Sequence, residues 1–248
     1  KDCAGALFIC ISGTKVDAHT FLPQVIEKGA SAVVVEREVE VPENVTVIRV
    51  ADARLALAEL SAAWFDHPTR KMTTIGLTGT KGKTTSTYML KAILEAAGKK
   101  VGLVGTNGAV IAGKHYVTNN TTPESYELQQ YFHQMVEAGC EYMIMEVSSQ
   151  GLKMNRVAGI SFDYGVFTNI SPDHIGPNEH ADFEEYMACK GKLFTMCSTG
   201  IVNRDDPNWE NREGTYLQAV YVWMHAGGRL RGGEYSPSEE RQLYGNRF

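Results

Sequence analysis

A short glycine-containing stretch, Thr78 to Thr85, has the residue types of a phosphate-binding loop. It reads Thr-Gly-Thr-Lys-Gly-Lys-Thr-Thr and follows a run of β-branched and apolar residues that begins at Thr73. Glycine lets backbone N–H groups approach an anion closely, and the first turn of a following helix adds partial positive charge. In such a loop Lys83 would reach the β- and γ-phosphates of a nucleotide, and the Thr84 hydroxyl would ligate Mg²⁺.

The stretch departs from the most familiar phosphate-loop pattern at one position. The pattern Gly-x-x-x-x-Gly-Lys-Ser/Thr requires glycine where this chain has Leu77. A glycine-rich turn that carries a solvated lysine is therefore an alternative interpretation. The strand pattern before the turn and the helix pattern after it favour phosphate binding.

The elements predicted around this loop would bring further polar side chains to it. Alternating strand and helix patterns predict a parallel sheet with helices on its faces, in which ligands collect at the carboxyl ends of the strands. Glu146 follows the apolar run 142–145, and Asp173 with His174 follows a strand at 164–168. A carboxylate at this edge suits Mg²⁺, which prefers oxygen ligands. An acid or a histidine after a strand can equally be a surface or structural residue, so both interpretations stay open.

The apolar runs divide the chain into three segments. Residues 1–66 predict strands at 6–11, 32–35 and 45–50 and helices at 21–28 and 53–65, which together make a small α/β domain. Residues 72–207 predict a larger domain with a parallel sheet, and the polar, proline-containing stretch between the two predicts a linker. Residues 208–248 show little apolar periodicity, so we expect an irregular or disordered tail.

Three local predictions concern helix surfaces and helix ends. The helix at 53–65 is expected to bury an apolar stripe made of Leu57, Leu60, Ala63 and Trp64. A helix at 83–97 is expected to bury Met89, Leu90, Ile93, Leu94 and Ala97. Thr122 is expected to cap, and Pro123 to open, a helix that ends near Gly139.

Composition argues against several classes of protein. The 248 residues are 43% hydrophobic and 21% charged, and the net charge of −5 offers no basic surface for nucleic acid. The five cysteines are odd in number and contain no Cys-x-x-Cys pair, so neither a disulfide framework nor a zinc knuckle is indicated. No apolar run reaches the roughly 18 residues of a membrane span. We therefore expect no nucleic-acid partner, no membrane and a reducing, cytoplasmic location.

Several short motifs follow one another in a specific order. They are Thr78–Thr85, Asn120–Glu124, Glu146–Ser149 and Thr168–His174. In order and spacing they resemble the motifs of the Mur ligase family of peptidoglycan synthesis, most closely its MurE subfamily. The opening residues 7–33 are similar to the domain that holds the UDP end of the substrate. The resemblance covers about residues 1–207, and it implies a chain truncated at both ends.

The resemblance implies a role for each matching residue. The ATP-binding residues would be Thr78, Gly79, Thr80, Lys81, Gly82, Lys83, Thr84 and Thr85, and the catalytic residues would be Lys83, Glu146, His174 and Lys190. Mg²⁺ would be ligated by Thr84, Glu146, His174 and Lys190, the last as a carbamate that replaces a repelling ammonium with an anionic oxygen. The UDP-linked substrate would contact Thr14, Lys15, Val16, Asn120, Thr121, Thr122, Ser148 and Arg156.

The same resemblance implies an ATP- and Mg²⁺-dependent ligase that works through an acyl phosphate. It would add a diamino acid, lysine or meso-diaminopimelate, to UDP-N-acetylmuramoyl-L-alanyl-D-glutamate, and it would be a monomer. Three alternatives remain: a truncated, non-catalytic module that binds nucleotide or UDP, a ligase of the folylpolyglutamate or cyanophycin synthetase type, and a P-loop kinase or GTPase. Without the family, the position of Lys190 on a helix predicts a solvated charge.

Overall fold

The computed structural model describes residues 3–13, 16–177, 179–203 and 205–208, and the backbone of 219–224 and 230–234. Within these ranges the chain forms a three-stranded sheet followed by a nine-stranded sheet, both accompanied by helices. The predicted α/β class, with a small sheet before a larger one, is confirmed. No helix in the described ranges is long and apolar enough to cross a bilayer.

The first sheet is small and entirely parallel. Its strands are β1 (Leu7–Ile9), β2 (Ala32–Val35) and β3 (Thr46–Arg49), in that order. A 3₁₀ turn leads into α1 (Leu22–Glu27), and α2 (Ala53–Trp64) follows β3. The buried core of this unit consists of Cys10, Leu22, Val33, Val35 and Val45.

Helix α2 packs against the second unit, and this contact overturns its predicted buried stripe. Ala58, Ser61 and Ala62 are buried, whereas Leu60 is exposed and Trp64 is 77% exposed. The helix lies against α4 (Ser125–Glu137). Its approach to the second unit is so close that a methyl group on Gly159 would lie 2.6 Å from the carbonyl oxygen of Ala58. Small side chains therefore form the buried face of α2.

This close approach predicts that Gly159→Ala destabilises the protein. The added methyl group would overlap backbone atoms of α2, and forcing extra volume into a packed contact costs about 1–3 kcal/mol. Urea unfolding should show that loss. Gly191→Ala is the matched control, because a methyl group there meets nothing within 4 Å. Equal stability of the two variants would contradict the close contact.

The predicted linker is a packed turn. Asp66 and His67 both have left-handed backbone conformations, and a 3₁₀ turn, Pro68–Lys71, follows with Pro68 and Thr69 buried. Polar contacts also join the unit before this turn to the unit after it. The Asn155 amide donates a hydrogen bond of 2.8 Å to the Asp52 carboxylate.

The second sheet has a parallel centre and antiparallel edges. Its strands are β4 (Thr73–Thr78), β5 (Val101–Gly105), β6 (Gly108–Ile111), β7 (Lys114–Tyr116), β8 (Tyr142–Glu146), β9 (Phe162–Phe167), β10 (Cys197–Asn203), β11 (Ala219–Met224) and β12 (Leu230–Glu234). Their order is β12-β11-β10-β9-β4-β8-β5-β6-β7. Strands β11 to β5 in this order are parallel, whereas β12, β6 and β7 pair antiparallel.

Two features of this sheet differ from the sequence predictions. The β6–β7 hairpin was not predicted, and it makes one edge antiparallel. Strands β11 and β12 lie in the segment expected to be irregular, and they extend the other edge. The remainder of that segment lies outside the described residues.

The helices of the second unit cover the sheet and carry polar residues to its edge. They are α3 (Lys83–Ala96), α4, α5 (Ser149–Lys153) and α6 (Phe183–Gly191). Leu90 and Leu94 of α3 are partly buried against a cluster that contains Ile75 and Leu77, which agrees with this part of the predicted stripe. Met89, Ile93 and Ala97 are exposed, so the buried stripe of α3 is narrower than expected.

Candidate active site

Glu146, the last residue of β8, is a carboxylate that is only 1% exposed and is surrounded by hydrogen-bond donors. The Thr84 hydroxyl donates to its Oε2 at 3.0 Å. The backbone N–H of Thr106 donates to Oε1 at 2.9 Å, and the Thr106 hydroxyl donates to Oε2 at 3.2 Å. The sequence analysis missed Thr106, although it directly follows β5 and the strand-end rule that selected Glu146 applies to it equally.

The phosphate-loop segment has the backbone conformation that its glycines predict. Gly79 has φ of 143° and Gly82 has φ of 82°, both in the region that favours glycine. Gly82 is the N-cap residue of α3 and has no side chain with which to cap the first turn, which leaves the N–H groups of that turn to an anion.

Two lysine side chains converge on this loop. The Lys83 ammonium donates to the carbonyl oxygens of Gly79 at 2.9 Å and Thr80 at 3.2 Å. Burial lowers the pKa of Lys83. The Lys190 ammonium donates to the same Gly79 oxygen at 2.8 Å and lies 4.7 Å from the centre of the Tyr186 ring. Lys190 is 2% exposed, so the expectation of a solvated helical lysine is wrong.

Residues that follow β9 form hydrogen bonds and an ion pair with the phosphate loop. The Thr80 N–H donates to the carbonyl oxygen of Asn169, and the Lys81 N–H donates to the side-chain oxygen of Asn169, both at 2.9 Å. The Lys81 ammonium pairs with Asp173 at 2.9 Å and holds the pKa of that carboxyl below its usual value. Tyr186 adds a hydroxyl contact of 3.1 Å to Thr80.

His174 lies to one side of the Thr84–Glu146 cluster. Its backbone φ is 55°, and its Nδ1 is 3.0 Å from the Glu179 carboxylate. The ring centre is 6.0 Å from that of Tyr186, the residue over which Lys190 lies. Among the described residues, Thr84 contacts Glu146 directly, whereas the side chain of His174 contacts Glu179 and Tyr186. Ligation of Mg²⁺ by His174 stays a prediction.

The predicted substrate residues are partly assembled next to Glu146. The Thr122 hydroxyl donates to the Glu146 carbonyl oxygen at 3.0 Å and accepts from the Ser148 N–H at 2.9 Å. Arg156 donates to the Thr122 carbonyl oxygen at 3.0 Å. The Thr121 hydroxyl lies 3.1 Å from that of Thr106.

The other residues predicted to bind the substrate have no such contacts with the residues around Glu146 in the part of the chain that the structure describes. Asn120 is exposed, and Val16 is 55% exposed in the first unit. Thr14 and Lys15 lie outside the described residues. Thr122 does not cap α4: the cap position is Glu124, whose carboxylate pairs with Arg156 at 2.7 Å.

Gly105 leaves the space that the Glu146 side chain occupies. A methyl group at this position would lie 2.3 Å from Glu146 Oε1 and 2.9 Å from two of its side-chain carbons. We predict that Gly105→Ala displaces the carboxylate and weakens Mg²⁺-dependent nucleotide binding by at least about tenfold, because small misplacements of a site group are costly. Isothermal titration with a non-hydrolysable ATP analogue measures the loss. Gly191→Ala should bind normally, and normal binding by Gly105→Ala would contradict the geometry.

Comparison with known proteins gives consistent matches in both units. A model described as the Mur ligase middle domain matches residues 77–230, and one described as the Mur ligase family, catalytic domain, matches residues 3–65. The first match overturns the expectation that the resemblance ends near residue 207. The UDP-N-acetylmuramoyl-L-alanyl-D-glutamate--2,6-diaminopimelate ligase of Clostridium perfringens is 47% identical over 207 residues, which are 84% of this chain and 42% of that relative.

Solved structures give the same fold. A UDP-N-acetylmuramoyl-L-alanyl-D-glutamate--2,6-diaminopimelate ligase aligns with a TM-score of 0.76 at 22% identity, over 95% of this chain and 52% of that chain. The MurF ligase of Thermotoga maritima in complex with ADP aligns with a TM-score of 0.55 at 18% identity, over 93% and 55% of the two chains. The chain spans about half the length of the proteins it matches.

Proposed function

The chain belongs to the Mur ligase family, and from this premise we propose that it carries the ATP site and the UDP-substrate site of a MurE-type ligase. The reaction would join 2,6-diaminopimelate to UDP-N-acetylmuramoyl-L-alanyl-D-glutamate. The relative from C. perfringens, whose name states these substrates, supports the choice. The observation that carries the proposal is the position of the buried residue Glu146. Its carboxylate accepts a hydrogen bond from Thr84 of the phosphate loop, and its backbone carbonyl accepts one from Thr122, a predicted substrate residue.

The donor set around Glu146 fits Mg²⁺. It consists of a carboxylate and the Thr84 hydroxyl, both oxygen donors of the kind that this ion prefers. When bound there, Mg²⁺ would neutralise charge on the β- and γ-phosphates. The Thr106 N–H fixes the orientation of the carboxylate through Oε1. The proposal includes His174 and a carbamate on Lys190 as further Mg²⁺ ligands. The ADP bound in the T. maritima MurF complex supports nucleotide binding by this fold.

The phosphate loop would hold ATP for in-line transfer. Its uncapped helix N-terminus offers N–H donors, and Lys83 would exchange its bonds to the loop carbonyls for a phosphate oxygen. A substrate carboxylate oxygen then attacks the γ-phosphorus, the bond to the ADP oxygen breaks, and an acyl phosphate forms. The amine attacks the acyl carbon, loses a proton, and expels phosphate to leave an amide. Fixed positive charge around the transferred group is the main contribution of the protein.

The residues proposed to hold the substrate lie beside Glu146, close to which that carboxylate would arrive. Thr122 bridges the Glu146 carbonyl and the Ser148 N–H, and Arg156 is held against Thr122. Arg156 also pairs with Glu124, which in turn lies 3.5 Å from Arg54 of the first unit. Through these contacts, the position of the UDP-binding unit would influence the positions of the residues at the reaction centre.

A chimaera tests the proposal, because the chain spans only 42% of its C. perfringens relative. This chain replaces the matching region of that relative, and phosphate release from ATP is followed. We expect release that requires both the UDP-muramoyl dipeptide and 2,6-diaminopimelate. Nucleotide binding without release would favour a binding module instead. Release that requires a folate substrate would favour the folylpolyglutamate type of ligase.

A further inference from the structure

We propose that His180, Glu185 and Cys189 bind a second, zinc-class divalent cation behind the phosphate loop. One donor atom from each of these residues lies within 4.8 Å of the donor atoms of the other two. Nitrogen, oxygen and sulfur donors together suit Zn²⁺ or Co²⁺ far better than Mg²⁺, which takes oxygen ligands.

Two donors of this cluster lie on a different face of α6 from the proposed catalytic residue Lys190. Glu185 and Cys189 are four residues apart, so they lie on one face of the helix. Tyr186 and Lys190 are also four residues apart and occupy the adjacent face, where they contact Thr80 and Gly79 of the phosphate loop. One face of α6 therefore contributes donors to the proposed cation site, and the adjacent face contacts the phosphate loop.

His180 supplies an independent indication of a ligand. Its side chain is fully buried, and neither ring nitrogen has a hydrogen-bond partner among the described residues. The backbone of His180 is fixed, because its N–H donates to the His174 carbonyl and its carbonyl accepts from the Gly176 N–H, both at 3.0 Å. Leaving a buried polar atom without a hydrogen-bond partner destabilises a folded protein. A metal ion bound to one ring nitrogen would remove part of that destabilisation.

The other two donors are also positioned. Cys189 is 5% exposed, and Glu185 accepts hydrogen bonds from the Lys153 ammonium and the Ala181 N–H, both at 2.7 Å. Such bonds orient a ligating carboxylate. Zinc bond lengths of about 2.0–2.3 Å place tetrahedral donors roughly 3.3–3.7 Å apart, so donor atoms that lie within 4.8 Å of one another need to approach by at most about 1.5 Å. Water would complete the coordination, and the Lys153 charge would keep the affinity moderate.

Occupancy of this site would connect two parts of the catalytic region. His180 ends the loop that begins at His174, and Asp173 before it pairs with Lys81 of the phosphate loop. A cation shared with Glu185 and Cys189 would tie this loop to α6, one residue from Lys190. The inference concerns residues that the proposed ATP and substrate sites do not use.

Cobalt titration of the purified, untagged chain tests the site. With millimolar Mg²⁺ present, we expect one Co²⁺ per chain, a thiolate-to-cobalt charge-transfer band, and displacement of Co²⁺ by Zn²⁺. Cys189→Ser should abolish the band, and His180→Ala should weaken binding by at least about tenfold. Cys140→Ser, at another buried cysteine, should bind normally.

Folding is checked by circular dichroism for every variant. If Cys189→Ser fails to fold, Glu185→Gln is the variant that tests the site. We expect it to retain the charge-transfer band and to bind Co²⁺ at least about tenfold more weakly. Absence of the band in the unmodified chain, or its persistence in folded Cys189→Ser, would overturn the proposal. Because ATP is not involved, this result is independent of the proposed ligase activity.

Discussion

Replacing Lys83 with alanine is expected to weaken binding of an ATP analogue by about 10- to 100-fold, the value of one or two charge-assisted hydrogen bonds. Turnover in the chimaera should fall further, by at least about 10³-fold, because the charge of the transferred phosphoryl group is then left uncompensated. In the structure Lys83 already lies against the loop carbonyls of Gly79 and Thr80. Titration calorimetry measures the first loss and phosphate release measures the second.

Two further variants separate charge from loop structure. Lys83→Met keeps the length of the side chain without its charge, and it should be as inactive as Lys83→Ala. Lys114→Ala removes an exposed lysine from β7 and should leave binding and turnover unchanged. Near-normal turnover of Lys83→Ala, with melting behaviour like that of the unmodified protein, would contradict the assigned role of the loop.

The second large effect is expected for Glu146→Gln. The amide has nearly the shape of the carboxylate but no charge, and it replaces one of the two oxygens that accept from Thr84 and Thr106 with an NH₂ group. We expect Mg²⁺ to stop enhancing nucleotide affinity, while the affinity without Mg²⁺ stays within about threefold. Turnover in the chimaera should fall by at least about 10²-fold.

Analogue titrations over a range of Mg²⁺ concentrations measure this difference. Glu137→Gln is the matched control, because Glu137 ends α4 and its carboxylate contacts only His133 among the ion pairs of the described residues. An unchanged Mg²⁺ dependence in Glu146→Gln would show that the metal is held elsewhere.

Local sequence patterns predicted the site residues that lie at or directly after the ends of strands. A parallel sheet places the ends of β4, β5 and β8 at one edge, and this is why Thr84 and Glu146 meet. The same rule would have found Thr106. The packing of Lys190 could not be predicted from its own helix, because its burial depends on where α6 meets Gly79, 111 positions away in sequence.

Packing between units explains the other failures. The stripe of mostly large residues on α2 suggested its buried face, but the residues that α2 buries are small ones, among them Ala58, Ser61 and Ala62. Similarly, Thr122 has the sequence position of a helix cap, and its hydroxyl is instead used between Glu146 and Ser148. Tertiary contacts override local preference in both cases.

The cluster on α6 illustrates a different limit of sequence reasoning. His180, Glu185 and Cys189 do not form a recognised metal-binding pattern, and no Cys-x-x-Cys pair directs attention to them. They meet because the segment before α6 folds back over the helix, a feature that single-sequence periodicity does not encode.

The central claim is that a carboxylate, activated by phosphoryl transfer, becomes an amide. The most direct test supplies the chimaera with UDP-muramoyl dipeptide whose reacting carboxylate carries ¹⁸O at both oxygens, together with ATP and 2,6-diaminopimelate, and analyses the released phosphate by mass spectrometry. An acyl phosphate transfers one carboxylate oxygen to phosphate, so we predict one ¹⁸O in each phosphate formed with an amide bond. Release of unlabelled phosphate alongside amide formation would contradict the account.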